Sequence, residues 1–144
     1  MACSKDTLNT AIDKSRRASY LTETMPTPRR ILYVEDNDIV REVTAELLAQ
    51  DQRVIVACAT AEEALQEFAK QPFDVVVTDV SLPVMSGIEL ARSILSTKPQ
   101  MPIIVASGYD LDFGIENWGD NVRSIIKPFE ALEIEALMDK IVKT

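Results

Sequence analysis

The most constraining feature of the sequence is a two-part unit that occurs five times between residues 30 and 144. Each unit begins with a short apolar run and continues with a segment in which apolar residues recur at helical spacing. Short continuous apolar runs are typical of strands buried on both faces, and the helical spacing indicates amphipathic helices. The five runs are residues 31–34, 54–57, 73–77, 102–106 and 122–126.

Strands that are apolar at successive positions must be covered on both faces, which is the condition of a parallel sheet between two helix layers. Residues 30–144 are therefore predicted to form one α/β domain of the doubly wound type, with five strands and five helices. The fourth helix, expected near residues 111–117, is the weakest. Gly114 interrupts it, Gly119 follows, and strong helix formers are few.

Residues 1–29 differ from the rest of the chain. They are polar and close in Met25-Pro26-Thr27-Pro28, a composition typical of a tail and linker. Leu8, Ala11 and Ile12 would form one face of a short helix, but so small a stripe is marginally stable on its own. We expect an N-terminal extension of residues 1–29, with at most a short helix, ahead of the domain.

Composition excludes several classes of function. The sequence of 144 residues contains no histidine, which rules out Ser-His and Cys-His catalysis, histidine metal ligands and a phosphohistidine donor role. A net charge of −8 disfavours nucleic-acid binding, which needs basic surface. No apolar run has the length of a membrane span or a signal peptide, and Cys3 and Cys58 form no disulfide or metal spacing. We expect a cytoplasmic protein.

Polar side chains follow four of the five predicted strands. Glu35 and Asp36 come after the first strand, Asp79 ends the third, Ser107 ends the fourth and Lys127 follows the fifth. In doubly wound sheets, reactive groups gather beyond the carboxyl ends of the strands. We therefore expect three carboxylates, a hydroxyl and an ammonium group to converge at one edge of the sheet.

This set of groups has a definite chemistry. Carboxylates held close together raise each other's pKa unless a cation is present, and hard oxygen ligands suit Mg²⁺. Lys127 adds a compact positive charge that can pair with Asp79 at rest or with an added phosphoryl oxygen. The combination indicates a nucleophilic carboxylate, a divalent ion and donors that stabilise an acyl phosphate.

The sequence from about residue 30 to 143 resembles the receiver domain of two-component response regulators. That resemblance implies a flavodoxin-like fold with strand order 2-1-3-4-5. The motifs that carry it are Glu35-Asp36, Asp79, Leu82-Pro83-Val84-Met85-Ser86-Gly87, Ser107 and Lys127-Pro128-Phe129.

The resemblance also implies the roles of the acidic residues. Asp79 is expected to accept a phosphoryl group from a histidine kinase or a histidine phosphotransfer protein. Asp36 and Asp79 are expected to ligate Mg²⁺, with help from Glu35 through water. Ser81 would supply a backbone carbonyl as a further ligand.

Ser107 and Lys127, by the same resemblance, contact the phosphoryl group and shift the nearby loops between two states. One position departs from the family pattern. Many receivers carry an aromatic residue three positions before the lysine, where this chain has Ser124. We hypothesise that Tyr109 replaces that aromatic switch, or that Ser107 and its loop act alone.

We expect no output domain after the receiver-like segment, and signalling through an unidentified target protein or by relay to a phosphotransfer histidine. We expect a phosphoacceptor, not an enzyme, present as a monomer or weak homodimer. Two alternatives remain open. One is a pseudo-receiver that binds partners without phosphorylation, and the other is a small phosphatase of the haloacid-dehalogenase type. Such phosphatases carry a second aspartate where this chain has Ser81.

Overall fold

The computed structural model describes residues 29–50, 52–109 and 114–142. The predicted N-terminal extension lies outside these residues apart from residue 29, so its character stays a prediction. Five strands are present, each of five residues. They are β1 Arg30–Val34, β2 Val54–Cys58, β3 Val75–Asp79, β4 Ile103–Ser107 and β5 Val122–Ile126.

The strands form one parallel sheet in the order β2-β1-β3-β4-β5, which confirms the predicted topology. The register aligns the strand ends. Val34 pairs with both Cys58 and Thr78, and Asp79 pairs with Ala106. The carboxyl ends of β1, β3 and β4 therefore lie at one edge of the sheet, where the predicted polar residues follow.

Four α-helices cover the sheet in the described part of the chain. Three of them begin at a side-chain cap, since Asn37, Thr60 and Ser86 each accept a hydrogen bond from a backbone N–H of the first turn. Their bounds are α1 Asp38–Leu48, α2 Ala61–Lys70, α3 Gly87–Thr97 and α4 Ala131–Ile141. None of the described helices is long and apolar enough to cross a membrane.

Both faces of the sheet are buried. Leu32 and Val34 of β1 pack into one apolar cluster with α2 and α3, whereas Ile31 and Tyr33 pack into a second cluster with α1 and α4. All five residues of β3 and of β4 are buried. The continuous apolar runs of the sequence thus arise from a sheet sandwiched between two helix layers.

The fourth unit differs from the prediction, because the described residues contain four α-helices where five were predicted. Residues 110–113 lie outside the described part, and the helix that follows is a single 3-10 turn, Ile115–Trp118. Gly114 precedes it with a left-handed φ of 65°, and Gly119 follows it with a φ of 151°, conformations that glycine adopts more readily than other residues. The turn is anchored because Trp118 packs against the core and the Arg92 guanidinium lies 4.7 Å from its ring centre.

Candidate functional site

Three carboxylates meet at the carboxyl edge of the sheet. Glu35, Asp36 and Asp79 each offer an oxygen, and these oxygens lie within 4.8 Å of one another. Glu35 and Asp79 are buried, at 3% and 9% exposure, whereas Asp36 is exposed. The convergence follows from the parallel pairing of β1 with β3, which brings the residues after Val34 beside the end of β3.

The turn between β1 and α1 holds the first two acids in place. The Glu35 N–H donates to the carbonyl of Cys58 at 3.0 Å, which continues the sheet pairing by one residue. The Asn37 N–H donates to Glu35 Oε2 at 3.1 Å, and the Asn37 side chain accepts from the Val40 N–H at 2.9 Å. Asn37 therefore connects the Glu35 carboxylate to the first turn of α1 by hydrogen bonds.

Lys127 reaches the cluster from the end of β5. Its Nζ lies 2.7 Å from Glu35 Oε1 and 3.6 Å from Asp79 Oδ2. Sequence reasoning named Asp79 as the resting partner, but the shorter contact is with Glu35, whose longer side chain extends toward the ammonium group. The single ammonium therefore pairs mainly with one of the three carboxylates.

The charges of these groups perturb one another. Burial raises the pKa of Asp79, and the neighbouring Glu35 charge raises it further, although Lys127 opposes both effects. Burial alone would lower the pKa of Lys127, but its hydrogen bond to Glu35 and the Asp79 charge raise it overall. Lys127 is therefore an ammonium ion at neutral pH, whereas burial and the Glu35 charge both disfavour the ionised form of Asp79. Such a donor set, rich in oxygen and negative charge, fits a hard divalent cation.

Ser107 ends β4 beside this cluster and is 4% exposed. Its Oγ accepts a hydrogen bond from the Tyr109 N–H at 3.2 Å, so the hydroxyl hydrogen is available to another acceptor. The Lys127 N–H donates to the Ser107 carbonyl at 2.6 Å, which links the two residues through their backbones. The Tyr109 side chain is exposed, and its role as a switch stays a prediction.

The loop after β3 contains a close backbone approach at Gly87 that the sequence pattern does not indicate. A Cβ at this position would lie 1.9 Å from the Asp79 carbonyl oxygen, because the Gly87 N–H donates to the Val80 carbonyl and draws the helix start against the strand end. Ser81 is exposed in the same loop. Its role as a carbonyl ligand stays a prediction.

A mainly apolar groove of about 410 Å³ opens beside Asp79 and Lys127. Val40, Val43 and Leu47 of α1 form one wall and Phe129 contributes to the other. Val43 is 59% exposed, because the groove lies between α1 and the segment that follows β5.

The fold is a doubly wound domain with a buried aspartate at the acidic edge of its sheet. Similarity to known proteins identifies the family to which this domain belongs. The family model "Response regulator receiver domain" matches residues 31–139, and the chain belongs to this family. The confirmed class is thus a receiver domain of two-component signalling.

Relatives of known name agree with this assignment. The chain is 31% identical over 116 residues to the response regulator protein FleR of Pseudomonas aeruginosa, covering 79% of this chain and 24% of that protein. It is 30% identical over 122 residues to the two-component response regulator PhoP of the same organism, covering 79% of this chain and 52% of that protein. The chain thus spans about a quarter to a half of these relatives.

A solved structure gives the same result. The response regulator protein TrrA of Thermotoga maritima, crystallised in complex with Mg(2+)-BeF, is 29% identical to this chain. The two structures superpose with a TM-score of 0.70 over 78% of this chain and 98% of that one.

Proposed function

We propose that this domain accepts a phosphoryl group on Asp79 from a phosphohistidine of a histidine kinase or a histidine phosphotransfer protein, in the cytoplasm. The observation that carries the proposal is the buried Asp79 carboxylate at the strand edge, 3.6 Å from the Lys127 ammonium and beside two further carboxylates. The modified domain then signals by binding another protein or by passing the phosphoryl group on.

The reaction is a displacement at phosphorus. An oxygen of Asp79 attacks the phosphorus atom, the P–N bond to the donor imidazole breaks, and the imidazole leaves with the bonding electrons. The result is an acyl phosphate on Asp79. Burial supports this role, because Asp79 is 9% exposed and a carboxylate that has lost part of its hydration shell is a better nucleophile than a fully solvated one.

Glu35, Asp36, Asp79 and the backbone carbonyl of Ser81 would hold Mg²⁺. When bound, Mg²⁺ supplies positive charge to the phosphoryl oxygens and reduces repulsion between the incoming group and the carboxylates. Two observations support the assignment: the oxygens of the three carboxylates lie within 4.8 Å of one another, and the Thermotoga relative was crystallised with Mg(2+)-BeF.

Lys127 and Ser107 would stabilise the product. The Lys127 ammonium, 2.7 Å from Glu35 in the resting domain, would turn toward a phosphoryl oxygen on Asp79. The hydroxyl hydrogen of Ser107 would donate to a second phosphoryl oxygen. Since Tyr109 donates to the same hydroxyl oxygen, a shift of Ser107 would be transmitted to the loop that follows β4.

The exposed apolar surface around the site supports the proposal that the phosphoryl donor is a protein. Seven large apolar side chains are exposed in the described part of the chain, and six of them lie on segments next to the carboxyl edge or along the groove of α1. These six are Ile39, Val43, Val84, Tyr109, Ile126 and Leu132. An apolar surface around a reactive carboxylate suits a partner that presents a histidine on its own folded surface.

The test is phosphorylation by a small acyl phosphate, because it needs no cognate partner. The protein is incubated with the donor, with and without Mg²⁺, and its intact mass is recorded for the native chain, Asp79→Asn and Asp74→Asn. Asp74 is an exposed aspartate just before β3, which makes its variant a matched control. We expect one phosphoryl adduct in the native and Asp74→Asn proteins, dependent on Mg²⁺, and none in Asp79→Asn.

Two other outcomes would replace the proposal. If no adduct forms under any condition, the domain is a phosphorylation-independent binding module. If instead the protein hydrolyses the acyl phosphate through many turnovers with no trapped adduct, it is a phosphatase. Ser81 argues against the second outcome, because it provides no carboxyl general acid two residues after the nucleophile.

A further inference from the structure

Arg41 makes a set of contacts that the proposed phosphoryl-transfer chemistry does not use. It lies in the second turn of α1, and its side chain is 22% exposed. Its Nη1 donates to the main-chain carbonyl of Glu35 at 2.9 Å, and its Nη2 lies 2.6 Å from Asp38 Oδ1. One guanidinium therefore connects the end of β1 with the first turn of α1.

The carbonyl that Arg41 contacts belongs to the peptide bond between Glu35 and Asp36. A change in ψ of Glu35 or in φ of Asp36, the two torsions that flank this peptide, would change the orientation of one acidic side chain relative to the other. Three other contacts act on Glu35 itself: its N–H donates to the Cys58 carbonyl, its Oε2 accepts from the Asn37 N–H and its Oε1 accepts from Lys127 Nζ. Of the hydrogen bonds that the structure describes, the one from Arg41 is accepted by the carbonyl oxygen of the Glu35–Asp36 peptide.

We propose that Arg41 is a positioning residue for the cation site, because it fixes the Glu35–Asp36 peptide in the orientation that aims both carboxylates toward Asp79. The inference rests on the proposed function in one respect, namely that this acidic cluster binds Mg²⁺. The fork of the guanidinium suits the task, since it bonds two acceptors at fixed relative positions, whereas an ammonium acts as a single point charge.

Removal of Arg41 should change the Mg²⁺ affinity in opposite directions, depending on whether Arg41 acts only through its charge or by positioning the ligands. Loss of a positive charge beside an acidic cluster would, by electrostatics alone, tighten the binding of a cation. Loss of a group that orients the ligands weakens metal binding, commonly by ten-fold or more. The sign of the change in Mg²⁺ affinity therefore separates the two roles.

The experiment is a titration of the full chain with MgCl₂ at constant ionic strength, followed by the ¹H–¹⁵N NMR signals of Asp36 and Asp79. We expect Arg41→Met to raise the dissociation constant by about ten-fold. Arg41→Lys keeps the charge and loses the fork, so we expect it to raise the constant several-fold. Lys70→Gln is the control for net charge, because Lys70 lies at the far end of α2, and its dissociation constant should equal that of the native chain.

Thermal melts of each variant establish that it is folded at the titration temperature, and Arg41→Lys provides the comparison if Arg41→Met is unfolded. Equal or tighter Mg²⁺ binding by the folded Arg41 variants would overturn the positioning role while leaving the proposed function intact. Failure of the native chain to bind Mg²⁺ would overturn the cation site and, with it, the inference. Weaker binding by both variants with an unchanged Lys70→Gln value would support it.

Discussion

Substitution of Gly87 by alanine should be among the most damaging single-methyl additions to this domain. The added Cβ would lie 1.9 Å from the Asp79 carbonyl oxygen and 2.8 Å from its carbonyl carbon, both of which are backbone atoms that a rotamer change cannot move. Overpacking of a well-packed site costs about 1–3 kcal/mol, and a clash with backbone belongs at the upper end. We expect a loss of about 3 kcal/mol and a fall in Tm of about 10 °C.

The assay is thermal unfolding followed by circular dichroism, with Gly108→Ala as the matched control. Gly108 lies in a loop at the same edge, directly after Ser107, and an added Cβ there meets nothing within 4 Å. We expect this variant to be as stable as the native protein or slightly more stable, since alanine reduces the entropy of the unfolded chain. Equal melting temperatures for Gly87→Ala and Gly108→Ala would refute the packing of α3 against the Asp79 backbone.

Three further predictions concern the same edge. Val84, 96% exposed with a φ of 68°, bears a strain that β-branched residues rarely tolerate, so Val84→Asn should stabilise the domain by about 1 kcal/mol in denaturant unfolding. Ser86→Ala removes the hydrogen bond that the Glu89 N–H donates to the Ser86 hydroxyl at the start of α3, and should destabilise the domain by about 1 kcal/mol in the same assay. Asp79→Asn should raise Tm at pH 7 without Mg²⁺. Because the pKa of Asp79 is raised in the folded state, ionisation of Asp79 opposes folding at pH 7. The gain in Tm should disappear below the ordinary aspartate pKa of about 3.9, because Asp79 is then protonated in both the folded and the unfolded state. No gain at pH 7, or an equal gain at pH 3, would contradict this reasoning.

The sheet and the position of the site were predictable because each depends on a local pattern. A buried parallel strand must be apolar at successive positions, so β1 and β3 are recognisable from their composition alone. Parallel strands also place their carboxyl ends at one edge, which is why Glu35 and Asp79 could be predicted to meet. Neither inference needs knowledge of side-chain conformations.

The contacts within the site depend on side-chain reach and on distant backbone, which sequence pattern does not determine. Lys127 lies 2.7 Å from Glu35 and 3.6 Å from Asp79, a difference that the sequence pattern does not indicate. In the described residues of the fourth unit, the segment after Gly114, which has a left-handed φ, is a 3-10 turn and not an α-helix. The pairing of Arg41 with the Glu35 carbonyl likewise has no signal in the spacing of the sequence.

The chemical location of the phosphoryl group tests the central proposal most directly. The protein is phosphorylated by a small acyl phosphate in the presence of Mg²⁺, reduced with borohydride, digested and analysed by tandem mass spectrometry. Reduction converts an aspartyl phosphate to homoserine, so the modified residue is identified by its mass. We predict homoserine at position 79 alone. Conversion at another aspartate, or an adduct on a serine or threonine that survives reduction, would contradict the assignment of Asp79 as the phosphoacceptor.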